Sequence, residues 1–195
     1  MLIEPLLTEN DQDKLSHVGL RDVILSHRLD MTGAFEDAAI EGYLNSHPAS
    51  AIEHIPKKSS LNRQLGDKQS GAEMFSDVIE QRLSFTLRRV TEHHTVLEEI
   101  VQQLRDELEA RSSGCLSLSM DMVLLAKSMQ LNCKESVDYV LNVYGEVEIG
   151  LDCGRQIVLP CDRMLSSFPY QIESIQGRDD VSLLLTSQVW SKELD

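Results

Sequence analysis

EMFSDVIEQRLSFTLRRVTEHHTVLEEIVQQLRDELEARSS, residues 73–113, carries apolar side chains at Phe75, Ile79, Leu83, Leu87, Val90, Leu97, Val101, Leu104 and Leu108. Steps of three, four or seven hold these residues on one stripe of a 3.6-residue helix. Ser70 followed by Glu73 makes a capping box, in which side chain and backbone satisfy each other's orphan donors, and no Pro or Gly interrupts the pattern before Gly114. At ~1.5 Å per residue, about 40 residues would make a rod near ~60 Å. That is longer than a domain of this size is wide, so the spacing predicts a long amphipathic helix that protrudes or breaks. Val90, His94, Leu97, Val101, Leu104 and Leu108 also fit heptad a and d positions. The stripe Leu83, Leu87, Val90, Leu97, Val101, Leu104 and Leu108 is therefore the candidate interaction surface, for a partner helix or a coiled-coil self-association.

Beyond the helix the period changes from 3.6 to 2. Leu116-Ser-Leu-Ser-Met-Asp-Met122, Met129-Gln-Leu-Asn-Cys133 and Val147-Glu-Ile-Gly-Leu151 alternate apolar and polar, the mark of half-buried strands. Gly145 inside the Val- and Tyr-rich run from Tyr139 suggests a bulge or turn, Asp152-Cys-Gly-Arg155 reads as a turn, and Gly177-Arg-Asp-Asp180 as a hairpin loop. Residues 114–195 form a small strand-rich C-terminal module, and the fold class expected is α+β.

Upstream, residues 1–56 carry a net charge of −7 and only short apolar clusters, such as Leu20, Val23, Ile24 and Leu25. Helices this short are marginal alone, so the segment is expected to be an acidic, weakly ordered N-terminal arm. Residues 57–72, net +3 with Lys57, Lys58, Arg63, Gly66 and Lys68, read as a linker. The whole chain of 195 residues has net charge −14 and 5% aromatic residues, which disfavours nucleic acid through phosphate repulsion and scarce stacking. No apolar run reaches the roughly 18–20 residues of a membrane helix, and no secretory signal is visible. Cys115, Cys133, Cys153 and Cys161 contain no Cys-x-x-Cys pair; they are read as reduced thiols in a cytoplasmic protein.

Nucleotide-binding, zincin, nucleophile-elbow and EF-hand patterns are all missing. Glu92-His93-His94 with Glu98 is the densest group of potential ligands, but neighbouring helical histidines point about 100° apart, so no metal site is assigned. The acidic pairs Glu98-Glu99, Asp106-Glu107 and Asp179-Asp180 read as solvated helix faces and a turn, and Lys57-Lys58 as a solubilising or docking patch. No catalytic residue and no cofactor is expected.

Leu116-Ser-Leu-Ser-Met-Asp-Met-Val-Leu-Leu125, Met129-Gln-Leu-Asn-Cys133 and Tyr139-Val-Leu-Asn-Val143 together resemble the strand, Leu-Leu corner, second and third strand of type III secretion control proteins, the hook-length and needle-length control or substrate-specificity-switch family. Leu159 to Phe168 would supply that family's short helix. The resemblance implies a non-enzymatic cytoplasmic protein, a candidate for export by a non-Sec route, that acts by binding protein partners such as the export gate. Two other readings stand beside it: a helical rod- or stalk-like adaptor assembling through the stripe, and an enzyme of unrecognised type using Cys153 or Cys161 with a histidine.

Overall fold

The computed structural model describes residues 5–8, 11–18, 20–56, 69–81, 83–112, 116–133 and 137–188. The linker signals at Lys57, Lys58, Arg63, Gly66 and Lys68, and Gly114 and Cys115, lie outside the described residues. In chain order the elements are α1 (Gln12–Leu15), β1 (Val23–Ser26), α2 (Asp37–Ser46), β2 (Ile52–Pro56), α3 (Gly71–Ile79), β3 (Leu83–Leu87), α4 (Val90–His93) and α5 (Thr95–Glu109). There follow β4 (Met120–Ala126), β5 (Gln130–Asn132), β6 (Val137–Tyr144), β7 (Val147–Leu151), β8 (Gln156–Leu159), β9 (Arg163–Ser166), β10 (Ile172–Gly177) and β11 (Val181–Gln188).

The expected long helix is three helices and a strand. Its capping box forms as read, with the Glu73 backbone N–H donating to Ser70 Oγ at 3.3 Å and the Ser70 N–H donating to Glu73 Oε2 at 2.8 Å. The helix then ends at Ile79, because Gln81 takes φ 59° and turns the chain away from the helical path. Leu83-Ser-Phe-Thr-Leu87 continues as β3, antiparallel to both β2 and β4. A spacing of four between Leu83 and Leu87 is also twice the strand period, so both residues share one face of a strand as readily as one face of a helix. Phe85 and Thr86 between them favour the pleated surface. A second left-handed residue, Arg89 at φ 53°, ends β3.

The architecture is mostly antiparallel β. One sheet has seven strands in the order β1-β9-β6-β11-β4-β3-β2, the other four in the order β5-β10-β7-β8. Strands β4 to β11 alternate between the sheets except at the β7–β8 hairpin, the topology of an eight-stranded jelly roll. This corrects the expected fold class of an α+β chain with an arm, a long helix and a small module. The weakly ordered arm is corrected with it: residues 1–56 contribute β1 and β2, the two outer strands of the large sheet. The backbone N–H groups of Leu6 and Leu7 each donate to the Glu107 carboxylate on α5 at 2.8 Å, so the acidic pair Asp106-Glu107 is not simply a solvated face. The coiled-coil expectation fails because Leu97, Val101, Leu104 and Leu108, the buried face of α5, are at most 1% exposed within the monomer. Among the described residues no helix is long and apolar enough to cross a membrane.

Candidate functional site at the barrel mouth

Register places Glu53, Thr86 and Val123 side by side across β2, β3 and β4, and Asp121 beside Thr186 across β4 and β11. Side chains two apart on a strand point the same way, so these residues share one face of the large sheet. With Leu131, Asn132 and Cys133 at the end of β5, and Arg88, they line a cavity of about 400 Å³ at the mouth between the sheets.

Polar groups converge there, with Val123, Leu131 and Val137 as the apolar part of the wall. Arg88 Nη1 donates to Asp121 Oδ2 at 2.6 Å, and Arg88 Nη2 donates to Glu53 Oε2 at 2.9 Å. Asp121 is buried, and its second oxygen accepts the Arg89 backbone N–H at 2.7 Å. The same carboxylate therefore holds the guanidinium and steadies the left-handed turn at Arg89. Burial works against the Arg88 charge, but the hydrogen bonds and attraction from Glu53 and Asp121 more than offset it and raise its pKa above the ordinary value. Burial pushes the Cys133 thiol up to about 11 despite Arg88 nearby, so at neutral pH it is a protonated thiol rather than a nucleophile. Thr86 is 2% exposed, and its Oγ1 has no hydrogen-bond partner among the described residues. An unpaired buried hydroxyl costs about 1–3 kcal/mol.

Behind Arg88 lies a histidine cluster. His47 Nε2 is 3.1 Å from the Arg88 carbonyl, which can only accept, so that nitrogen carries the proton. His47 Nδ1 then accepts from His94 Nε2–H at 3.1 Å. The His93 ring meets His47 edge-on at 4.8 Å. Burial, then the neighbouring imidazoles, lower the pKa values of both His47 and His94. His47 was missed from sequence because it sits 46 positions before His93; nothing local signals its approach.

The remaining sequence candidates are scattered. Leu87, Val90, Leu97, Val101, Leu104 and Leu108 of the stripe are buried, and Leu83 is half-buried. Glu98, Glu99 and Asp106 border a shallow depression along α5. Cys153 and Cys161 lie exposed after β7 and β8, with no pairing to His94. A larger depression of about 790 Å³, between α2, α3 and the turns after β6 and β10, includes Asp179 and Asp180. Of these three cavities only the mouth contains a buried polar atom without a partner among the described residues.

No family model and no curated protein matches the chain. Solved structures do. A ribosomal oxygenase of Escherichia coli, YcfD, superposes with TM-score 0.60 at 11% identity over 100% of this chain and 56% of its own. The same protein in complex with cobalt and 2-oxoglutarate gives TM-score 0.60 at 12% identity over 98% and 55%, and with cobalt and succinic acid 0.60 at 11% over the same shares. The chain thus spans about half the length of the structures it matches. At this identity the likeness shows the fold alone, a jelly roll.

The resemblance to type III secretion control proteins is overturned by these matches. Its Leu124-Leu125 corner lies inside β4, and the short helix expected over Leu159 to Phe168 is the end of β8, a turn at Pro160 and β9. The secretion-control role and the rod-like adaptor fall with it, since among the described residues the helices are few and the longest, α5, has 15 residues. The reading as a non-enzyme is corrected as well: the absence of sequence motifs does not speak against catalysis on a fold whose matched chains include an oxygenase. The metal that accompanies that oxygenase nevertheless finds no counterpart here. Among the described residues no group of three or more His, Cys, Asp and Glu side chains could hold a metal ion. At the mouth, Asp121 is engaged by Arg88 and Arg89, which leaves Glu53 and Cys133 as the remaining carboxylate and thiol of the lining, a donor set too small for a divalent cation that chelates an oxo acid.

Proposed function

We propose that this chain is an enzyme-type jelly roll whose active pocket is the mouth between β2–β3–β4–β11 and β5, where it binds a small polar organic molecule. The observation that carries this reading is Thr86 Oγ1, buried in the wall of the cavity and unpaired among the described residues. It is one of five such atoms among the described residues and the one whose residue lines one of the three cavities; a ligand hydroxyl, carbonyl or amino group would supply its partner. Arg88 is held in place from three directions, by Asp121, by Glu53 and through its carbonyl by His47. Glu53, 55% exposed in its side chain, is the carboxylate at the mouth that can turn toward a ligand. Free thiols at Cys133, Cys153 and Cys161 support a reducing, cytoplasmic setting.

The test is a screen of polar metabolites followed by methyl resonances of Thr86, Val123 and Leu131. Ligands should shift these three together, and Thr86→Val should lose them while stabilising the unliganded protein by about 1 kcal/mol, because a methyl replaces an unpaired hydroxyl. Hits that leave all three resonances unmoved would refute the reading.

A further inference from the structure

The charges at the mouth go further and point to the kind of molecule it takes. Its wall holds two carboxylates, Glu53 and Asp121, against one guanidinium, Arg88, a net charge of −1 among the described residues. Asp121 cannot move aside: its side chain is 6% exposed and both its oxygens accept hydrogen bonds, from Arg88 at 2.6 Å and from the Arg89 backbone at 2.7 Å. The positive charge of Arg88 is therefore spent on the protein itself. Arg88 keeps further N–H donors, but a ligand carboxylate that reached them would add its charge beside Glu53, 2.9 Å from the guanidinium, and the buried Asp121, crowding like charges in a small cavity. A dianion such as 2-oxoglutarate, which accompanies cobalt in the oxygenase of the same fold, would meet that repulsion in full, reinforced by the field of a chain of net charge −14. A ligand nitrogen bearing protons meets the opposite: Glu53 accepts from it at the rim, and the Thr86 hydroxyl, deeper in the wall, accepts a second hydrogen bond or donates one to a neighbouring oxygen.

We infer that the mouth selects a small cationic ligand, an amine or guanidinium with a hydrogen-bonding group a few atoms away, and excludes dianionic oxo acids. This rests on the reading of the mouth as the binding site. Glu53 is its specificity-determining residue, because it supplies the unbalanced charge, and Thr86 fixes the depth of the ligand.

Two sets of probes test this on the full chain, with the methyl resonances of Thr86, Val123 and Leu131 as reporters. The cations are ethanolamine, 4-aminobutanol and agmatine, and the dianions are malonate, succinate and 2-oxoglutarate, all at equal ionic strength. At least one cation should shift the three reporters in a saturable way, and no dianion should. Glu53→Gln, a change at an exposed position checked for folding by circular dichroism, should weaken the bound cation by about tenfold or more, the loss expected for a charge-assisted hydrogen bond. It should also admit a dianion, since Arg88 then has one carboxylate too few. A dianion that shifts the reporters of the unaltered protein as strongly as the cations would overturn the charge selection and leave the mouth standing as the site. Reporters unmoved by every probe in both proteins would overturn the site and the selection together.

Discussion

His27 should make the stability of the fold depend on pH. It follows β1, is 3% exposed, and its Nδ1 accepts the Leu29 backbone N–H at 3.3 Å. The ring proton therefore sits on Nε2, which has no partner among the described residues. Burial pushes its pKa from 6.5 down to about 4, a shift that the Arg163 and Asn142 backbone and the Asp30 carboxylate offset only in part. Because the folded value lies below the unfolded one, protons bind the unfolded chain preferentially. Stability is complete above pH 6.5 and is lost as the pH falls from 6.5 to about 4. At about 1.36 kcal/mol per unit, the full loss is about 3 kcal/mol, of which about 2 kcal/mol has gone at pH 5. Urea unfolding followed by circular dichroism, at about pH 7.5 and about pH 5, measures it in the unaltered protein and in His27→Gln, whose carbonyl can still accept from Leu29. His47, His54 and His94, with pKa values lowered mainly by burial, titrate in both proteins and cancel in the difference. The stability gap between the two proteins should shift by about 2 kcal/mol toward the variant at the lower pH. A gap that stays the same at both pH values would refute the assignment of a neutral, buried His27.

Replacing Leu97 or Leu104, both fully buried, by Asp should unfold the protein rather than alter its mass in solution, because a carboxylate in this core costs more than the ~5–15 kcal/mol of a typical domain's stability can spare; light scattering combined with circular dichroism separates the outcomes. Asp121→Asn weakens the hold on Arg88 and the Arg89 turn at a buried position, and should cost about 3 kcal/mol by urea unfolding. Cys153 and Cys161, exposed, should be alkylated by iodoacetamide well before Cys133, whose pKa is raised to about 11, as peptide mapping by mass spectrometry would show.

Val147-Glu-Ile-Gly-Leu151 is β7 as read, with Val147, Ile149 and Leu151 buried, whereas the alternating run Leu116–Met122 becomes strand only at Met120, in a β4 whose seven residues are all buried. Gly145 is the turn into β7, at φ 72°, where a Cβ would lie 2.3 Å from the Val181 carbonyl oxygen. The stretch from Phe75 to Leu108 was misleading because a four-residue step suits both periods, and because its breaks fall on Gln81 and Arg89, residues that carry no breaker signal. The short strands β1 and β2 lie at the edges of the sheet, paired with β9 about 140 positions and β3 about 30 positions away, so nothing in their own neighbourhood announces them. The mouth was invisible for the same reason. Thr86, Arg88, Asp121 and Cys133 are unremarkable residues in their local contexts, and they become a site only when β3, β4 and β5 are brought together. Residue types without long-range pairing also lent the hydrophobic pattern of β4 to β6 to the wrong family.

The position of β11 has a consequence for how the chain reaches this state. The strand that follows all the other described strands in sequence lies in the middle of the large sheet, with β6 on one side and β4 on the other. Until it inserts, β1-β9-β6 and β4-β3-β2 are two separate ribbons with raw inner edges and no hydrogen bonds between them. During synthesis on the ribosome, the earlier strands must therefore wait, exposed, for β11 to emerge. With pairings this distant in sequence, closure belongs to the slow range of milliseconds to seconds, and the waiting edges are where a chaperone would bind or where two nascent chains would join by mistake.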